Sequence, residues 1–302
     1  MNTMLARSFR NLPGSTAVSL FLARKLAPGL LLLSLLAGFA PLAVAQQPNA
    51  GTIGAGIIST LAGKYGSALH PGVTDDVPAN SIPIGSGDDV NAVAIDANGN
   101  VYVAVGDNLN NYAYVGIIYE GGNPPLLGFR THSTLTPGNF YYIVGNVQIT
   151  NGKGSLIPGL CKRGSGTCGD GMSALQTTQS ILNTPKGLAL DQFGNLYISD
   201  QGTSSIRKVQ AATGLIFTEV GDPQHTGQGY SGENVTAKGS LLNSPGGIAL
   251  DPSGDNLYIA ETFNHLVRKV TISATTPKIS TVAGTPPPSA GAAPGHADDP
   301  EE

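Results

Sequence analysis

Beyond residue 45 the apolar positions fall into short runs broken by Gly, Asn, Asp and Pro, and no segment sustains a helical period. Short apolar runs at regular spacing, each bounded by turn residues, predict an all-β chain. Three stretches repeat one plan: DDVNAVAIDANGNVYVAV (88–105), TPKGLALDQFGNLYISD (184–200) and SPGGIALDPSGDNLYIAE (244–261). Each predicts an inner strand, an Asp-led turn and a returning strand with Tyr at a fixed place. In the middle unit the strands are expected at 187–190, 196–199, 205–209 and 214–220. The last unit repeats them as GIALD, NLYIAE, LVRKVTI and KISTVAG, ending at 284. The first is less regular: YVGIIYE (114–120) and NFYYIVG (139–145) are separated by the loop 121–138.

Four antiparallel strands in so short a span make one small twisted sheet. Such a sheet cannot bury both faces alone and must stack on copies of itself. GIISTLAG (56–63) matches the closing strand KISTVAG with no strands before it, and is expected to be an orphan strand. Asp96, Asp191 and Asp251 recur at one position of the repeat. A carboxylate there is suited to accept the N–H groups of the turn, with Gly194 and its counterparts supplying positive φ. Recurrence across units marks a turn device rather than an active site.

These units resemble the blades of NHL-repeat β-propellers, of the kind found in exported bacterial proteins. The resemblance rests on P-x-G-[LI]-A-L-D-x-x-G-x-L-Y-I-[SA]-[DE] at 185–200 and, with one inserted residue, at 245–261. It extends to the R-K-V segments ending at Val209 and Val270, and to CGDGMSALQTTQSILNTPKG (168–187), which is similar to the connector of such repeats. Val90 stands where the other two units have Pro. The resemblance implies a partial, open propeller: blades at about 88–147, 185–221 and 245–284, plus the orphan strand. Closed propellers take about four to eight blades. An open set implies a portion of a longer repeat protein, closure by self-association, or capping by a partner.

Composition sets further bounds. Arg7, Arg10, Arg24 and Lys25 precede an uncharged apolar run at 26–45 that ends Ala43-Val44-Ala45. That pattern reads as a signal peptide over 1–45, giving a secreted or periplasmic protein; a retained membrane anchor is the rival reading. Without those residues 12 basic side chains face 20 acidic ones, a formal charge of −8, and no basic run offers a nucleic-acid surface. Cys161 and Cys168 are expected to pair as a loop-stapling disulfide. The Pro- and Ala-rich stretch 286–302, acidic at its end, reads as a disordered tail.

Candidate chemistry is sparse. Asp200 and Glu261 end the second strands of their units, and Arg207 and Arg268 follow on the third. Alternating acid and base there suggests a ligand-binding rim, against the plainer reading of solvated cross-strand ion pairs. The five histidines show no close metal-ligand spacing, and no metal, cofactor or catalytic residue is assigned. Some enzymes resembling NHL propellers are zinc-dependent lyases, and His225 and His265 lie in or beside loops of two blades. The expectation is a non-enzymatic exported scaffold that binds an unidentified protein or small ligand, with self-association as one route to closure. A metal-dependent lyase or lactonase and a sensor or adhesin ectodomain are the alternatives.

Overall fold

The computed structural model describes residues 61–62, 75–82, 89–107, 111–122, 134–151, 153–164, 166, 168–176, 180–224 and 227–290, all within the compact unit Gln47–Glu302. The expected leader, most of the orphan strand and all but 286–290 of the tail lie outside the described residues. Residues 61–62 form a bend rather than a strand.

The three repeats fold as three antiparallel sheets. The first blade runs outward through Asp89–Ile95, Val101–Asp107, Tyr112–Tyr119 and Asn139–Thr150. The middle blade uses Pro185–Leu190, Leu196–Asp200, Ser205–Val209 and Leu215–Gly221. Pro245–Leu250, Asn256–Glu261, Leu266–Thr271 and Lys278–Ala283 make the last. Among the described residues there is no α-helix, and thus no helix long and apolar enough to cross a membrane.

The recurrent turn forms as its sequence dictates. Asp191 Oδ1 accepts the N–H groups of Phe193 and Asn195, both at 2.9 Å, and Oδ2 accepts Asn195 Nδ2 at 2.7 Å. Asp96 and Asp251 make the same bonds to Asn100 and Asn256. The amide oxygens of Asn100 and Asn195 in turn accept the N–H groups of Glu120 and Ala211, which ties the turn to the end of the third strand. Asparagine at this place thus serves two strands at once.

Each sheet also gains a short fifth strand that the repeat pattern does not reveal. Val77–Pro78, Met172–Ser173 and Val235–Thr236 pair with the outer strands of the first, middle and last blades. The same two backbone bonds recur at each: Asp76, Gly171 and Asn234 donate to Phe140, Ile216 and Ile279, and Ala79, Ala174 and Ala237 donate to Gly138, Gly214 and Pro277. Asp76, Gly171 and Asn234 all sit at positive φ, where Gly, Asn and Asp are least strained. The connector then stitches adjacent blades, because Gly145 N–H donates to Ala174 O and Gly221 N–H to Ala237 O. A further departure is the outer strand of the first blade. Expected to end at 145, it continues to Thr150 and pairs with Lys153–Leu156, and Asn151-Gly152 stands between the two strands in the sequence. Asn-Gly is a strong short-range hairpin signal.

Blades meet along their inner strands, where small residues allow close approach. A Cβ on Gly187 would lie 2.5 Å from Gly246 O of the last blade. Between the first and middle blades Lys186 Nζ donates to Asn91 Oδ1 at 2.6 Å. Tyr102, Val115 and Ile143 pack on Leu188, Leu196, Ile198 and Val209, and Tyr197, Ile206 and Val220 pack on Leu257, Ile259 and Val270. Full burial of each such side chain contributes about 1.5–3 kcal/mol. Stacked faces, rather than any single sheet, hold the core.

Candidate functional site

Asp200, Arg207, Glu261 and Arg268 do not form a rim. All four are buried, at 0–1% exposure, and each is engaged by groups of its own blade and connector. Asp200 ends the second strand of the middle blade. Its carboxylate accepts Asn183 N–H at 3.0 Å, Thr184 N–H at 2.8 Å and the Thr203 hydroxyl at 2.7 Å. Arg207, on the third strand, donates to the carbonyls of Ile181 at 2.8 Å and Cys168 at 3.0 Å, and to Asp170 Oδ1 at 2.7 Å. Acid and base thus clamp the connector onto the blade from its two ends.

The last blade repeats the clamp. Glu261 accepts Asn243 N–H at 3.2 Å and a bond from Asn264 Nδ2, and faces Arg268 at 3.4 Å. Arg268 donates to Gly232 O at 2.9 Å, lies 3.8 Å from Glu233 and covers the Tyr230 ring at 4.8 Å. Burial pushes the Asp200 carboxyl up against the pull of its donors and Arg207. It pushes Glu261 up to about 7, against Arg268 and the bonds from Asn243 and Asn264. Burial lowers Arg207, which Asp170 and Asp200 oppose. The exposed Asp251 turn behaves oppositely: its bond from Asn256 draws the carboxyl down to about 2.

Register identifies what stands in these places in the first blade. Ile198↔Arg207↔Thr218 and Ile259↔Arg268↔Thr281 correspond to Val103↔Gly116↔Tyr142, each just beyond a bulge in the third-to-fourth strand pairing. Asp200, opposite Pro185, and Glu261, opposite Pro245, correspond to Val105, opposite Val90. The first blade therefore carries neither half of the clamp.

Asp170 and Glu233, the acids that meet the two arginines, escaped the sequence reading. The signal is present in D-D-V-P-A, D-G-M-S-A and E-N-V-T-A, starting at Asp75, Asp170 and Glu233. Aligned, these give an acid, a residue suited to positive φ, and an Ala four positions on. Asp170 also opens onto a cleft of ≈ 190 Å³ with Thr218, Asp222, Gln224 and Lys238. Its Oδ2 lies 3.7 Å from Lys238 Nζ. A second cleft, ≈ 470 Å³, lies where the first and middle blades meet and is lined by Asn111, Pro158, Lys162, Ser180 and Asn183. The Cys161–Cys168 disulfide forms beside it, and Asn183 Nδ2 holds Cys161 O at 2.8 Å. Both clefts offer amide, hydroxyl and ammonium groups suited to a small polar ligand.

Among the described residues no group of three or more His, Cys, Asp or Glu is arranged to hold a metal ion. His265 is exposed in the turn before the third strand of the last blade, at φ 54°, and His225 lies outside the described residues.

Stacked antiparallel blades joined by such connectors define a β-propeller type of architecture. Residues 143–286 match the family model of the teneurin NHL domain, and that stretch is similar to it. A comparison with curated proteins finds no match. Similar solved structures include a structural genomics protein of unknown function from Bacteroides thetaiotaomicron, at 17% identity and a TM-score of 0.28 over 63% of this chain and 47% of that one. Another is a catalytically inactive virginiamycin B lyase from Staphylococcus aureus with quinupristin, at 14% identity and 0.29 over 69% and 58%. A third is an auxiliary nutrient binding protein from Bacteroides ovatus, at 16% and 0.28 over 70% and 45%. The chain spans about half the length of each of these proteins.

Proposed function

We propose that this chain is an exported, non-enzymatic NHL-repeat scaffold that binds a protein or a small polar ligand. The observation that carries this reading is the burial of Asp200, Arg207, Glu261 and Arg268. The charged residues that repeat from blade to blade are spent on holding connectors in place, not offered to a substrate. Two clefts, one beside Asp170 and one beside Lys162, are where a ligand has polar groups to meet. Export is supported by the basic stretch, apolar run and Ala43-Val44-Ala45 of the N-terminal segment. The Cys161–Cys168 disulfide is of the kind that persists in oxidising compartments.

The test is to express the full chain with its N-terminal segment, recover it from the periplasm or medium, and measure its N-terminal sequence and metal content. The expected result is a mature N-terminus at Gln46 and zinc and calcium well below one equivalent. One equivalent of either metal, lost on replacing His225 and His265, would overturn the non-enzymatic reading. Retention of residues 1–45 in a membrane fraction would overturn the exported one.

A further inference from the structure

The faces by which blades stack recur at both ends of the array, and among the described residues no blade lies against them. Inside the chain the middle blade presents Gly187, Ala189, Tyr197 and Ile206 to the last blade, and all four are buried. Their counterparts on the last blade are Gly247, Ala249, Tyr258 and Val267. A Cβ on Gly187 would strike the neighbouring blade, whereas a Cβ on Gly247 meets nothing within 4 Å. Ala249 and Ala260 are exposed, and Val282 is 50% exposed. A blade-accepting face is therefore repeated where none of the described residues forms a blade.

The opposite end carries the complement. The middle blade meets the first through Leu188 and Leu190, and the last meets the middle through Ile248 and Leu250. The corresponding residues of the first blade are Val93 and Ile95, at 62% and 66% exposure, flanked by Val90 at 51%. Large β-branched side chains so exposed on one strand mark a contact surface. Ile82, Val147 and Leu156 already cover the outer part of that face, so the open portion is the inner strand. Inner strands are where blades approach most closely within the chain.

We infer that a second copy of this chain docks head to tail, the Gly247 and Ala249 strand of one copy against the Val93 and Ile95 strand of the other. Both halves of the contact are present on one chain, and each continues an interface that the chain already makes between its own blades. A head-to-tail contact generates a ring when its rotation closes. Two copies meeting twice give six blades, inside the range of about four to eight at which propellers close. The inference stands whether or not the protein has a catalytic activity.

The experiment is light scattering coupled to size-exclusion chromatography on the unit Gln47–Glu302, together with Val93→Asp and Ala249→Glu. Both substitutions fall on exposed positions, and far-UV circular dichroism checks that each variant keeps its sheets. The parent is expected at twice the mass of the chain and each variant at the monomer mass. An equimolar mixture of the two variants is expected to recover the dimer, because one of its two contacts then joins an intact head to an intact tail. A monomeric parent, or an open-ended series of masses, would overturn the proposal. So would a mixture that stays monomeric, since face-to-like-face association is not rescued by mixing.

Discussion

Where the second and third strands run side by side, the middle blade holds Asp200 and Arg207, the last holds Glu261 and Arg268, and the first holds Val105 and Gly116. The acid that meets the arginine is nevertheless kept in the first blade as Asp75. It is fully buried, and its carboxylate accepts Tyr142 N–H at 3.2 Å and Gly154 N–H at 2.6 Å. The space that a guanidinium fills elsewhere is taken by the Phe140 ring, which lies edge-on to Tyr142 at 5.2 Å and to Tyr114 at 6.4 Å. A Cβ on Gly116 would sit 1.9 Å from that ring. Blade construction therefore requires a filled volume and a pinned connector, and either an ion pair or an aromatic cluster with backbone donors supplies both.

The two solutions differ in how they fail. Removing one member of a buried ion pair strands the other, whereas an apolar replacement of the whole pair is often neutral or stabilising. Arg207→Met leaves Asp170 and the carbonyls of Ile181 and Cys168 without the guanidinium they meet, and about 3–5 kcal/mol of stability is expected to be lost. Chemical denaturation in the Val93→Asp background, expected to be monomeric, reads this directly. The triple variant Asp200→Val, Arg207→Gly and Ile216→Phe installs the residues of the first blade in the middle one. It is expected to recover most of that loss. A triple variant no more stable than Arg207→Met would show that the two designs are not interchangeable.

Gly116→Ala probes the aromatic design alone. The added Cβ meets a ring that Tyr114 and Tyr142 hold from two sides, so it cannot turn aside. Overpacking of this kind costs about 1–3 kcal/mol. Adding Phe140→Ile, the residue of the other two blades at that place, is expected to relieve the clash. If the single substitution is silent in urea unfolding, the ring is not what excludes a side chain from position 116.

The main strands and the connectors of this fold differ in how legible they are in the sequence. The twelve main strands were legible because turn residues bracket them and each apolar run alternates faces. Two-residue connector strands were not, since the short motif they share is too brief to specify a strand and their pairing is decided by the neighbouring outer strand. Asn151-Gly152 carries a hairpin signal between Thr150 and Lys153. Asp200, Arg207, Glu261 and Arg268 stand out in the sequence as a repeated set, but charge alone points to solvent. Their burial follows from a bulge beside each arginine and from donors and acceptors in a connector well away in sequence. No local window contains both. The Asp of the turn was legible because its partners lie within six residues.

The smallest expected effect separates the last blade from the first by pH. Burial raises the Glu261 carboxyl from its ordinary 4.5 to about 7, while the first blade has Val105 at the same place and nothing there to titrate. A carboxyl whose pKa is higher in the folded chain than in the unfolded one binds its proton more tightly when folded. Its contribution therefore favours the fold below about pH 4.5 and is lost as pH rises through about 7. Asp251, drawn down to about 2, has the opposite sign, but its loss falls well below this window. Urea midpoints measured from pH 4.5 to 8 should fall with rising pH, and Glu261→Gln should flatten that fall whatever it does to stability at any single pH. A slope unchanged by Glu261→Gln would mean that Arg268, 3.4 Å away, keeps the carboxyl ionised throughout, and that the buried pair in the last blade is as indifferent to pH as the aromatic cluster in the first.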